Sequence, residues 1–179
     1  VTVTAGLHDL SGRLLGSTRR AKLDVAPSTT AIAFTAAFGA DLPDLHLLRL
    51  SLEDSKGRPL SQNTYWRYRE TADMRALNKT RAVRITADLG HVSRSGARRT
   101  MTATVRNRRA AVASMVRLSL LDAQNGRRVL PTLYSDNYLW LLPGESRTVT
   151  LSWPADALHS GRPALRTEAY NSARTLTRA

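Results

Sequence analysis

The sequence predicts an all-β protein built from sandwiches, on three observations. Apolar residues recur at every second position in several short stretches. These stretches follow one another at roughly ten-residue spacing with turn residues between them. No helical period of 3–4 residues sustains itself anywhere along the chain.

The 179 residues allow one large domain or two of roughly 80–100 residues. Residues 1–5 open the chain, with Val1, Val3 and Ala5 alternating with threonines, and Asp9 to Arg13 reads as the turn after them. Short strands are expected at 21–25, closed by Pro27, and at 30–38, where Ile32, Phe34, Ala36 and Phe38 share a face. Residues 45–54 show the clearest alternation, with Leu48, Leu50 and Leu52 on one side and Arg49, Ser51 and Glu53 on the other. A turn at Asp54 to Gly57 leads into a strand at 60–68 that carries Asn63, Tyr65 and Trp66.

The stretch from Arg69 to Thr80 is polar and can form one helical turn capped by Thr71. It is read as a linker. Six further strands are expected at 82–89, 99–107, 113–122, 128–134, 146–153 and 164–170. Asn125-Gly126 signals a hairpin between the third and fourth of these. In Leu142-Pro143-Gly144-Glu145, Pro143 pre-sets φ and Gly144 accepts a positive φ, so a turn precedes Val149, Leu151 and Trp153. The expected architecture is two tandem immunoglobulin-like β-sandwiches over residues 1–69 and 81–179, joined by a linker at 70–80. The first has two strands fewer than the seven of such a sandwich and is expected to lack its initial strands. That would leave an exposed sheet edge around Val1 and Leu7, available for self-association.

Composition narrows the function classes. There are no cysteines, which excludes disulfides and thiolate metal sites. No apolar run reaches the roughly 18–20 residues of a membrane helix, so no membrane partner is expected. There is no signal peptide pattern, and the chain opens without Met on strand-like residues, as an internal piece of a longer polypeptide would. The net charge of +13 invites a polyanion-binding reading. The basic residues are almost all arginines scattered over turns and strand ends, as a GC-rich coding sequence also produces. Neither a recognition helix nor a strand with paired exposed aromatics accompanies them, so nucleic acid is not the expected partner.

Candidate chemistry is sparse. Glu53, Asp54, Asp136, Glu145 and Glu168 include no pair placed to flank a scissile bond. His8, His46, His91 and His159 share no metal-ligand spacing. Neither catalytic residues, nor a metal, nor a cofactor is expected. The aromatics cluster instead, at Tyr65, Trp66 and Tyr68 and at Tyr134, Tyr138 and Trp140. Asp136 and Asn137 lie within the second group. Their short side chains suit a loop held to its own backbone. The same residue types suit a sugar, through ring stacking and hydroxyl bonding, or an interdomain contact. Tyr134, Asp136, Asn137, Tyr138, Trp140, Tyr65 and Trp66 are therefore the candidate carbohydrate or interdomain contacts, and Trp153 is assigned to the core.

Several motifs together resemble a known family: Gln62-Asn-Thr-Tyr-Trp66, Ala72-Asp-Met-Arg-Ala-Leu-Asn78, Tyr134-Ser-Asp-Asn-Tyr138 and Leu141-Leu-Pro-Gly-Glu-Ser-Arg147. Asn107 at a strand end, Val116-Arg-Leu118 and Glu168-Ala-Tyr-Asn171 add to the pattern. In this order and spacing they resemble the C-terminal β-sandwich domains of family 2 glycoside hydrolases. The branch is that of the exo-β-D-glucosaminidases, β-mannosidases and endo-β-mannosidases. The resemblance implies a parent in which a (β/α)₈ barrel carries two catalytic glutamates of a retaining mechanism. It implies a secreted or periplasmic location, and a non-catalytic role for this chain beside that barrel. An independent carbohydrate-binding module and a basic polyanion-binding domain are the alternatives. If the chain bound polyanions, its affinity for mixed-sequence DNA would fall steeply with salt; an electrophoretic shift that is absent or salt-insensitive removes that alternative.

Overall fold

The structure, a computed structural model, describes residues 1–158 and 162–179. His159 lies outside the described residues. Among the described residues the fold is all-β, with three antiparallel sheets and one short 3-10 helix. The chain divides into two compact units, Val1–Thr80 and Arg81–Ala179.

The first unit holds one four-stranded sheet made of β1 (Thr2–His8), β2 (Arg19–Lys22), β3 (His46–Glu53) and β4 (Pro59–Arg67), in the order β2-β1-β3-β4. Val3, Ala5 and Leu7 of β1 stand directly opposite Leu52, Leu50 and Leu48 of β3, so the apolar residues of both strands share one face. Two of its turns are built alike. Asp9 Oδ1 accepts the N–H groups of Ser11 and Arg13 at 2.9 and 3.0 Å. Asp54 Oδ1 accepts those of Lys56 and Arg58 at 2.8 and 2.9 Å. In each, an arginine four residues on donates its Nε to Oδ2 of the same aspartate, and Gly12 or Gly57 takes the positive φ. This is a type I turn followed by a left-handed residue. Donation from Arg58 and Lys56 holds the Asp54 carboxyl below its usual range.

Three expectations for this unit need correction. The edge predicted around Val1 and Leu7 is not free: Thr2 to Ala5 pair with Lys22 to Arg19, so β1 is interior to the sheet. The edge position belongs to β2, whose Arg19, Arg20 and Lys22 oppose edge-to-edge pairing by charge. Residues 30–38 form no strand, although their apolar residues alternate. Ile32 is 86% exposed, while Phe38 lies under the Arg67 guanidinium at 3.7 Å. Alternation supplies a face but not a partner edge, and a strand needs both. The third correction is local. The helix, Thr71–Lys79, is capped at Glu70 rather than Thr71, with Asp73 Oδ2 accepting the Glu70 N–H at 2.8 Å.

The second unit is a two-layered sandwich. One layer is β5 (Ile85–Leu89), β7 (Arg98–Asn107), β11 (Ser146–Pro154) and β9 (Leu133–Tyr134), with β6 (Ser93–Ser95) added beside β7. The other is β10 (Leu139–Leu141), β8 (Ala113–Asp122), β12 (Pro163–Ala169) and β13 (Ser172–Arg178). Alternate residues of both layers fill one core: Met101, Val105, Leu151 and Trp153 face Val116, Leu118, Leu141 and Leu165. β6, β10 and β13 have no counterpart among the predicted strands. The strand expected at 128–134 survives only as Leu133–Tyr134 and a single bridge from Arg128 to Leu121. Pro131 within it has no N–H to give to a ladder.

Asn107, fully buried at the end of β7, joins the two layers. Its Nδ2 donates to the carbonyls of Ala111 and Leu141 at 2.7 and 3.0 Å, and its Oδ1 accepts the Arg109 N–H at 3.1 Å. Its backbone closes the Pro143-Gly144 turn, accepting from Gly144 and donating to the Glu145 carbonyl. Asn107→Ala strands two buried carbonyls and is expected to cost about 2–4 kcal/mol. Urea denaturation checks this against Trp153→Ala, where a large cavity is expected to cost about 3–5 kcal/mol.

Candidate functional site

The aromatic segment from Tyr134 to Trp140 is where the chain leaves one sheet of the sandwich for the other. It departs from β9, which pairs with β11, and arrives in β10, which pairs with β8. β8 kinks at this point. Leu139 stands opposite Val116 and Leu141 opposite Ala113, so one residue is extra on β8, and Met115 there has φ 52°. That is a β-bulge.

Because β10 is only three residues long, it cannot satisfy the rest of the β8 edge. Side chains do so instead. Asn137 Oδ1 accepts the Leu118 N–H at 2.9 Å while its Nδ2 donates to the Leu118 carbonyl at 3.1 Å. The amide thus occupies the place of a strand peptide. Next along the edge, the Tyr134 hydroxyl accepts the Leu120 N–H at 2.8 Å, and the Leu120 carbonyl accepts the Val129 N–H at 3.0 Å. Every polar backbone group from Val116 to Leu120 on this side thereby has a partner.

The candidate residues now separate. Tyr134 and Asn137 belong to the scaffold. Burial pushes the Tyr134 phenol above its ordinary range, a rise that the Leu120 N–H and the nearby Arg128 charge only partly oppose. Asp136 is exposed, and its Oδ1 accepts the Asn137 N–H at 2.8 Å. Tyr138 is 60% exposed and has φ 56°, an uncommon conformation for an aromatic residue. Trp140 is half-buried on β10. Tyr65 and Trp66 lie on β4 of the first unit, 50% and 37% exposed. The two aromatic groups therefore belong to different compact units.

Asn171, which the sequence reading marked only as the end of a short motif, does more than either group. Its Nδ2 donates to the carbonyls of Arg81 and Val112, both at 2.8 Å, and its Oδ1 accepts the Ser114 N–H at 3.1 Å. The turn between β12 and β13 is thereby tied to the start of the unit and to the start of β8. The carboxylates singled out earlier sit in separate local settings. Glu145 Oε2 accepts the Leu142 N–H at 2.9 Å, and Glu168 lies among arginines. His8 and His46 each contact a nearby carbonyl. Among the described residues there is no group of three or more potential metal ligands.

This geometry defines a class: an antiparallel sandwich whose aromatic loop is bonded into its own sheet edge. Residues 63–172 match the family described as the exo-β-D-glucosaminidase Ig-fold domain, and the chain belongs to that immunoglobulin-like family. Relatives share its sequence at moderate identity. An exo-β-D-glucosaminidase of Streptomyces avermitilis is 31% identical, over 74% of this chain and 17% of its own length. One from Arthroderma benhamiae is 28% identical, over 95% of this chain and 20% of its own length. The crystal structure of the exo-chitosanase CsxA of Amycolatopsis orientalis superposes with a TM-score of 0.88 at 26% identity, over 99% of this chain and 23% of that one. The chain thus spans about a fifth of the length of these glycoside hydrolases.

Two outcomes test the edge. Asn137→Ala leaves both polar groups of Leu118 without their partner and should lower stability by about 1–3 kcal/mol in urea denaturation. Tyr134→Phe should remove a pH dependence. The folded phenol pKa is raised, so the stability tied to its proton is present below the unfolded value of about 10 and is lost as pH rises through the folded value. Urea midpoints between pH 8 and 11 should fall less steeply in the variant than in the parent chain.

Proposed function

We propose that this chain is a non-catalytic accessory region of a larger retaining β-glycosidase acting on glucosaminide or mannoside bonds, and that it packs beside a catalytic barrel. The observation that carries the reading is the commitment of the aromatic loop. Asn137 and Tyr134 spend their polar atoms on β8, so the loop works as part of the scaffold. The length comparison supports it, since the named activity belongs to proteins about five times longer.

In the same reading, residues 1–69 are half of a sandwich, residues 70–80 a connector, and residues 81–179 a whole immunoglobulin-like domain. The sheet order β2-β1-β3-β4 supports this. It matches the C′-C-F-G order of one immunoglobulin sheet, and the half-buried Leu48, Leu50 and Leu52 offer the face its companion would cover. The coding sequence upstream of Val1 is then expected to encode the companion strands and, before them, a (β/α)₈ barrel. A barrel-free upstream sequence overturns the reading.

The exposed Tyr138, Tyr65 and Trp66 favour a second reading, a carbohydrate-binding module. Charge opposes it for one substrate class. Polymers of glucosamine, the sugar named for the relatives, carry ammonium groups, and a chain of net charge +13 repels them. Calorimetric titration with millimolar chitosan and mannan oligosaccharides is expected to give no saturable heat. Saturable heat that Tyr138→Ala abolishes would establish the second reading instead.

A further inference from the structure

The outer face of the β10-β8-β12-β13 sheet carries a cluster that neither the scaffold role nor the comparisons explain. Val116, Leu118 and Leu120 face the core, so Arg117 and Ser119 lie on the opposite face of β8. Arg117 stands directly across from Glu168 on β12, and Ser119 directly across from Arg166. Arg174, on the neighbouring β13, joins them. The Glu168 carboxylate meets the Nε atoms of Arg117 and Arg174, both at 3.2 Å, and that of Arg166 at 3.8 Å. Three guanidinium groups share one carboxylate, which leaves an excess of two positive charges on adjacent strands.

The polar groups at the centre of this cluster are incompletely used. Ser119 is only 1% exposed, and its hydroxyl has no hydrogen-bond partner. The buried Nε atoms of Arg117 and Arg166 are within ion-pair distance of Glu168, yet neither N–H makes a hydrogen bond of acceptable geometry. The side chain of Arg166 is largely withdrawn from water, that of Arg117 is 35% exposed and that of Arg174 is mostly exposed. Unpaired donors and unbalanced charge out of water are unfavourable unless an acceptor joins them. Guanidinium groups pair in fork geometry with carboxylate, sulfate or phosphate. The four residues sit on three adjacent strands of a hydrogen-bonded sheet, so the cluster is held on a rigid platform.

We propose that Arg117, Arg166, Arg174 and Ser119 form a binding site for an oxyanion, with Glu168 as the internal carboxylate that the incoming anion competes with. The ligand is a carboxylate, sulfate or phosphate group, presented by a free anion or by an acidic side chain of another protein surface. Glu168 keeps the arginines in place when the site is empty and also weakens the site. Removing its charge should therefore tighten binding rather than abolish it, a sign opposite to that expected of a structural salt bridge.

The experiment titrates the whole chain with sodium sulfate and, at matched ionic strength, with sodium chloride. It follows thermal stability and the arginine Nε–H signals in ¹⁵N-correlated NMR. Sulfate should raise the melting temperature saturably beyond chloride and shift the signals of Arg117 and Arg166. Arg166→Gln and Arg117→Gln should each weaken sulfate binding by about tenfold, the factor that about 1.4 kcal/mol represents. Arg174→Gln, at an exposed side chain, should weaken it while leaving the fold intact, and Glu168→Gln should strengthen it severalfold. Arg127→Gln, which removes an equal charge from the exposed turn after β8, should change nothing. A second titration with a glutamate-rich peptide separates the sources. Competition with sulfate that is lost in Arg174→Gln assigns the site to an acidic protein surface, and sulfate binding alone assigns it to a free anion. The proposal fails if sulfate acts no differently from chloride. It fails equally if Arg127→Gln weakens binding as much as Arg174→Gln, or if Glu168→Gln weakens it.

Discussion

The constraint on which the second unit depends is the open edge of β8. A ten-residue strand at the heart of a sandwich presents N–H and C=O groups along both sides, and each needs a partner. On one side β12 supplies a continuous ladder. On the other, β10 is three residues long and displaced by a bulge. The deficit is met piecewise by an asparagine side chain, a tyrosine hydroxyl and one turn of backbone. This solution dictates the course of the chain from Val129 to Leu141, because each piece must arrive at a set height along β8. It also accounts for the polar loop residues without assigning them any ligand.

The same device recurs at Asn107 and Asn171. Each asparagine offers two donors and one acceptor oxygen from a single short side chain, which suits places where two pieces of backbone meet without a regular ladder. Asn107 joins the end of β7 to the loop before β8 and to β10. Asn171 joins the last hairpin to the start of the unit. The three sit where a sheet breaks register or changes layer, and together they hold irregular connections around a regular core. A scaffold built this way is hydrogen-bonded at its corners as well as in its layers. That property fits a domain whose proposed work is to pack against another.

Charge is distributed on a different logic. Exposed single ion pairs such as Arg106 with Asp88 contribute little to stability. The arginines of the two aspartate turns act locally, fastening one turn each. The Glu168 cluster stands apart because its cations outnumber its anion on one face of a sheet. A net charge of +13 thus reflects both dispersed surface arginines and the concentrated patch around Glu168.

By itself the sequence determined the fold class, because period-two burial is written directly in the order of residues. Leu48, Leu50 and Leu52, and Val149, Leu151 and Trp153, could be assigned faces before any partner was known. The turns at Asp54-Gly57 and Pro143-Gly144 were legible for the same reason, since their chemistry is local. The family resemblance was legible through motif order, and residues such as Asn137 and Asn107 lay inside those motifs without their bonds being visible. Only the tertiary structure decided the rest. It placed β1 inside its sheet, denied residues 30–38 a strand, and turned Tyr134 and Asn137 into edge partners for β8. It also brought Arg117, Arg166 and Arg174 around one carboxylate. Each of these outcomes depends on which strand lies beside which. Pairing joins residues distant in the chain, and no local pattern of hydrophobicity records the identity of a neighbour.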